Sequence, residues 1–119
     1  MNLDQLIEQI KQHPDYPKVG MILCHNGVVR STSREGRQVS GLRIAVDRDK
    51  LQQVIASNKC RNGIVEILVH INADVDLKVG EDVMYIVVAG DIRENVIATL
   101  EDTLNTIKAT VTQKTQYFV

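Results

Sequence analysis

The chain has 119 residues, 44% hydrophobic and 24% charged, which fits one globular domain over 1–119 with a single core. A net charge of -1 excludes the basic excess of a general nucleic-acid binder, and no apolar run is long enough to cross a bilayer. Aromatic residues make up only 3%, so Val, Ile and Leu must fill the core.

Leu3, Leu6, Ile7 and Ile10 recur at helical spacing and predict a helix over 2–12, with Asn2 as its cap. Pro14 and Pro17 stop it. Residues 19–30 read as a strand, with a bulge or tight turn at Gly27 inside the polar break His25-Asn26-Gly27. Residues 31–40 are polar and read as a mobile loop. Leu42 to Val46 alternates as a half-buried strand does. Asp47 or Asp49 then caps a helix whose apolar face is Leu51, Val54 and Ile55. Asn62-Gly63 ends that unit.

Residues 64–71 predict a largely buried strand, and Asn72 to Asp76 an acidic turn. After the turn Gly80 to Asp82, the run Val83 to Ala89 is apolar on both faces and predicts a central strand covered on each side. A long helix over roughly 92–110 carries the stripe Ile92, Val96, Leu100, Leu104, Ile107 and Val111, with Glu94, Glu101 and Asp102 facing water. Residues 111–118 read as a final strand. The order α-β-β-α-β-β-α-β does not strictly alternate, so an α+β sandwich, with helices on a mixed or antiparallel sheet, fits better than a doubly wound fold.

Phosphate-cradling glycine loops and close His/Cys clusters are absent, so no metal and no cofactor are expected. Cys24 and Cys60 stand far apart, outside any C-x-x-C pair. They read as reduced thiols of a cytoplasmic protein, with a disulfide between them as the alternative, and the N-terminus carries no secretory signal. His13, His25 and His70 are scattered, and His70 in its apolar strand reads as structural. Cys24 and His25 are neighbours on a strand, so their side chains point to opposite faces and do not make a catalytic pair.

Four cations sit at chain junctions, where loops and element ends carry function. Arg30 closes the first strand and, taken alone, is a solvated strand-end cation. Arg93 opens the last helix, where a cation opposes the helix dipole. It is either an anion ligand or the partner of Asp91 or Glu94. Lys108 follows Leu104 by one turn. Its amine is either partly buried beside other cations, with a lowered pKa, or exposed where a helix C-terminus favours positive charge. Lys114 lies in the tail and is ordinary by itself.

Together these residues resemble the large, catalytic subunit of molybdopterin synthase, from about Val19 to Phe118. The resemblance rests on Gly27-Val28-Val29-Arg30 before a loop, the strand–helix unit 42–58, and Ile64 to Ile71 with His70. It continues through Val79-Gly80-Glu81-Asp82-Val83, then Arg93, then Ile107-Lys108 and a lysine-bearing tail. It differs from the family at Ile92, where a His is usual, and at Val111-Thr112-Gln113, where a Pro-aromatic segment is usual.

The resemblance implies an α/β hammerhead-like fold and a homodimer that binds a ubiquitin-like small subunit with a C-terminal Gly-Gly. It implies sulfur transfer from that subunit's thiocarboxylate to a phosphorylated pterin, cyclic pyranopterin monophosphate, giving molybdopterin for molybdenum cofactor biosynthesis. By the same resemblance Lys108 and Lys114 are catalytic, and Arg30 and Arg93 bind the substrate phosphate or the tail carboxylate. The alternative is a non-catalytic binding or assembly module on the same scaffold, since a fold does not fix an activity.

Overall fold

In the computed structural model, which describes residues 1–119, the apolar run from Val83 becomes the middle strand of a three-stranded antiparallel sheet. This strand, β5 (Asp82–Gly90), pairs with β1 (Met21–Val28) on one side and β3 (Ile64–Ile71) on the other. Successive side chains on a strand point to opposite faces, so a strand apolar throughout needs two covers. Tyr85, Val87 and Ala89 pack against Leu6 and Ile10 of α1 (Leu3–Lys11). Met84, Ile86 and Val88 face the larger core.

A second antiparallel sheet has the order β4-β2-β6: β4 (Leu77–Lys78), β2 (Val39–Val46) and β6 (Thr112–Phe118). Leu42 and Ile44 of β2 join the larger core. So do Leu51 and Val54 of α2 (Arg48–Lys59) and Val96 of α3 (Arg93–Thr106). The helix caps fall where the sequence puts them. Asn2 and Gln5 form a reciprocal capping box, and the Asp47 carboxylate accepts from the Lys50 N–H at 3.1 Å.

The α+β class holds, but every strand pair is antiparallel and there are two sheets, not one mixed sheet. β1 runs unbroken through His25 and Asn26, and its register slips between Gly27 and Val28, as the glycine suggests. β3 is only half-buried because it is an edge strand with a single neighbour. The segment expected to be a mobile loop is tied down. Thr32 and Gln38 form a β-bridge, and Ser33 is buried and bonded to Arg37 through backbone and Oγ. Gly36 turns the segment at a φ of 86°. The Arg37 guanidinium lies 3.7 Å from the Phe118 ring centre, pinning this loop to the C-terminal strand. Both thiols are free, and burial raises the pKa of Cys24 above its ordinary value.

The last helix differs from its predicted span. The α-helix ends at Thr106, and one π turn, Ile107–Val111, continues it. Ile92 is 54% exposed and leaves the predicted stripe, while Thr99 and Thr103 enter the core instead. Neither threonine hydroxyl has a hydrogen-bond partner. A buried unpaired hydroxyl carries its full desolvation cost, so Thr103→Val is expected to stabilise the protein by about 1–2 kcal/mol. A urea melt with an unchanged slope and a higher midpoint checks this.

Candidate functional site

The topology collects cations at one end of the molecule. β1 runs toward that end and hands the chain to Arg30. β5 starts there, beside Val28, and carries the chain away to Gly90. α3 then brings it back and delivers Lys108. β6 follows, antiparallel to β2, with Lys114 opposite Ile44. Between the two sheets at this end lies a cleft of about 450 Å³. Arg30, Lys108 and Lys114 all line it, the first from the segment after β1 and the other two from the consecutive π turn and β6.

The cleft also contains two groups that sequence reading did not select, Arg34 and His25. No acidic side chain lines it; the remaining polar walls come from Thr32, Thr112 and Gln116. Like charges in one concavity raise the local positive potential and draw anions in. Arg30 is exposed at the rim, and its Nε donates to the Thr32 carbonyl at 2.8 Å, which leaves the terminal guanidinium nitrogens for a guest.

Lys108 owes its position to the π turn. The wider turn buries both Ile107 and Val111 in the core. Lys108, between them, is exposed on the cleft wall, so the exposed alternative holds over the partly buried one. Single π turns inside helices are rare and frequently occur at functional sites. Thr106 and Thr110 hydroxyls bond back to the Asp102 and Thr106 carbonyls, both at 2.8 Å, satisfying acceptors near the helix end.

Arg93 is not brought to this cleft within one chain. Fifteen residues at 1.5 Å rise put it about 22 Å from Lys108 along the helix axis. Its side chain is 79% exposed, and its Nε lies 3.3 Å from Glu94. Asp91 is engaged elsewhere: its Oδ1 accepts from the Ile92 N–H at 2.6 Å and the Asn95 amide at 2.9 Å. The Asn95 bond, then the Ile92 bond, hold the Asp91 carboxyl below the usual carboxylate range. Asp76 is likewise lowered, by the Tyr117 hydroxyl first and Arg43 second.

A depressed carboxyl stabilises the fold above its unfolded pKa, and that contribution fades as pH falls through the lower folded value. The share of the stability to urea that these two carboxyls carry is therefore expected to be level down to about pH 5 and to fall below about pH 4. Asp91→Asn combined with Asp76→Asn is expected to flatten this limb in melts taken across that range.

The other histidines are engaged in structure. His70 Nε2 lies 3.1 Å from Asn72 Oδ1, and its ring stacks on Tyr85. His13 takes the Asp15 N–H on Nδ1 and faces Glu66. Cys24 and His25 do point apart: Cys24 packs with the α1 cluster, and His25 lines the cleft.

Fold and cleft together define an α+β protein with a cavity between two antiparallel sheets that is lined by cations and free of acidic side chains. A family model described as the MoaE protein matches residues 1–110, and the chain belongs to that family. The resemblance read from the sequence is thereby borne out. Comparison with curated proteins gives no match.

Among solved structures, the fold is similar to molybdopterin synthase from Staphylococcus aureus, with a TM-score of 0.80 at 16% identity, covering 100% of this chain and 86% of that one. It is also similar to molybdopterin cofactor biosynthesis protein E from Burkholderia multivorans ATCC 17616, with a TM-score of 0.77 at 20% identity, covering 100% and 84%. A third similar structure is a complex of subunits 1 and 2 of the molybdopterin-converting factor from Helicobacter pylori 26695. Its TM-score is 0.72 at 15% identity, covering 100% and 84%. No helix is long and apolar enough to cross a membrane.

Proposed function

We propose that this chain works in molybdenum cofactor biosynthesis as the large, catalytic subunit of a cytoplasmic molybdopterin synthase. It transfers sulfur from the thiocarboxylated Gly-Gly tail of a ubiquitin-like small subunit to cyclic pyranopterin monophosphate. The observation that carries this reading is the convergence of Arg30, Lys108 and Lys114 on one cleft free of carboxylates. Family membership supports the pathway, and the two-subunit Helicobacter complex supports a small protein partner.

Arg30 holds the guest's phosphate, because a guanidinium offers paired donors to its oxygens. Arg34, on the loop over the cleft, adds a second such group. Lys108 and Lys114 offset the negative charge that builds on the thiocarboxylate carbonyl oxygen as sulfur leaves it. The protein acts as a homodimer, and Arg93, exposed at the far end of α3, serves the partner copy's guest or tail carboxylate.

One pair of observations favours a second reading, a binding or assembly module. Arg93 is remote from the cleft of its own chain, and Ile92 stands where the family has a histidine. Purified protein mixed with thiocarboxylated small subunit and cyclic pyranopterin monophosphate separates the two. Molybdopterin formation supports the synthase. Stable small-subunit binding with no product leaves the module.

A further inference from the structure

His25 is the one histidine of the chain that no protein partner engages. It sits on β1 opposite Ile86, on the face turned to the larger core and the cleft. A β-carbon placed on Gly27 would come within 3.3 Å of Nε2, so the ring leans along the strand toward Gly27, and that glycine keeps its tip clear. The ring shares the cleft with four cations and no acid.

Every element around it contributes to that environment. The segment after β1 supplies Arg30 and Arg34, the π turn Lys108, and β6 Lys114. β2 supplies only Leu42 and Ile44, and β5 only Val83 and Met84. Asp82 of β5 is turned to the Tyr85 hydroxyl, at 2.6 Å, on the other face. The imidazole is thus the single cleft group able to accept a proton near neutral pH. Burial, then the charge of Lys108, lowers its pKa below the ordinary histidine value, so the ring is in its basic form at pH 7.

We propose that His25 is the general base of the cleft, activating the water that frees the small subunit's tail once its sulfur is bonded to the pterin. This rests on the synthase reading. In that step the water oxygen bonds to the acyl carbon, the carbon–sulfur bond breaks, and sulfur leaves as a thiolate with the bonding pair. The water proton passes to the imidazole, the tail becomes a carboxylate, and the second proton goes to solvent. A positioned base contributes about 10²- to 10⁴-fold.

The test is the pH profile of molybdopterin formation by the reconstituted complex, for the wild type, His25→Gln and His25→Asn. The wild type is expected to show an acid limb with a midpoint below the ordinary histidine value. Both variants are expected to lose about 10²-fold in rate and the limb itself, while the pyranopterin phosphate Kd stays within about twofold. Wild-type product with rate and limb unchanged in the variants overturns the role of His25 and leaves the synthase intact. No wild-type product overturns both.

If the variants fail to fold, NMR titration of the His25 ring in the wild type decides. A ring that titrates with the limb supports the proposal, and one displaced from it by more than about one pH unit overturns it.

Discussion

Lys108→Ala is expected to lower molybdopterin formation by about 10²- to 10³-fold while the small subunit still binds. The argument is positional. Lys108 is exposed on a wall of the cleft, on a turn whose neighbours Ile107 and Val111 are locked in the core. The backbone beneath it is therefore held, and truncating an exposed side chain should leave the fold alone. What is lost is a positive group preorganised against developing negative charge, away from any competing carboxylate.

Lys108→Arg keeps the charge but replaces a compact ammonium with a planar fork, and a partial loss is expected. Turnover with the purified small subunit, read beside a pull-down of the complex, checks both variants. Unchanged turnover in Lys108→Ala removes this residue from the mechanism.

Ile107→Ala is expected to have the largest effect on stability, about 2–5 kcal/mol. Ile107 is fully buried where the helix gives way to the π turn, in a core shared by both sheets and two helices. Deleting its side chain removes apolar contacts and leaves a cavity that the surrounding strands cannot fully close. The same change loosens the support under Lys108, so turnover is expected to fall as well. A chemical melt gives the stability loss, and activity well below the melting range gives the second effect. Ile107→Val is expected to cost only about 0.5–1.5 kcal/mol and to spare turnover.

Much of the architecture was legible because single segments carry it. The two-sided apolar run before Ala89 has one stable use, a covered middle strand, and β5 is that strand. Asn2 and Asp47 act as caps because capping depends on residues three positions apart.

Pairing was harder to read. The division into two sheets is set by which strand finds β2, and no local pattern contains that information. The half-burial of β3 follows from its edge position in the same way. In the last helix, apolar spacing put Ile92 inside and passed over Thr99 and Thr103. Threonine's hydroxyl hides a side chain that packs much like valine, and the helix start at Ile92 faces outward.

The site was legible in part. Arg30 and Lys108 lie at element ends, and those ends meet at the cleft, while Lys114, inside β6, is marked only by the family resemblance. Arg93 ends an element too, but it opens α3 beside the Gly90 end of β5, and the length of the helix keeps it far from Lys108 and the cleft. Arg34 was hidden in a segment whose polar composition suggested mobility. In the structure a bridge, a buried serine and a cation–aromatic contact hold that segment over the cleft. In the sequence His25 has only Cys24 beside it as a chemical partner, with strand geometry turning that neighbour to the opposite face. Its relevance comes from Lys108, 83 positions away, which only the fold brings near.

The most direct measurement is a crystal structure of the protein with cyclic pyranopterin monophosphate bound. The phosphate is expected between the two sheets, within hydrogen-bond distance of Arg30 and at least one of Lys108 and Lys114. Density for the pterin on another surface, or an empty cleft at saturating ligand, would contradict the synthase reading at its root.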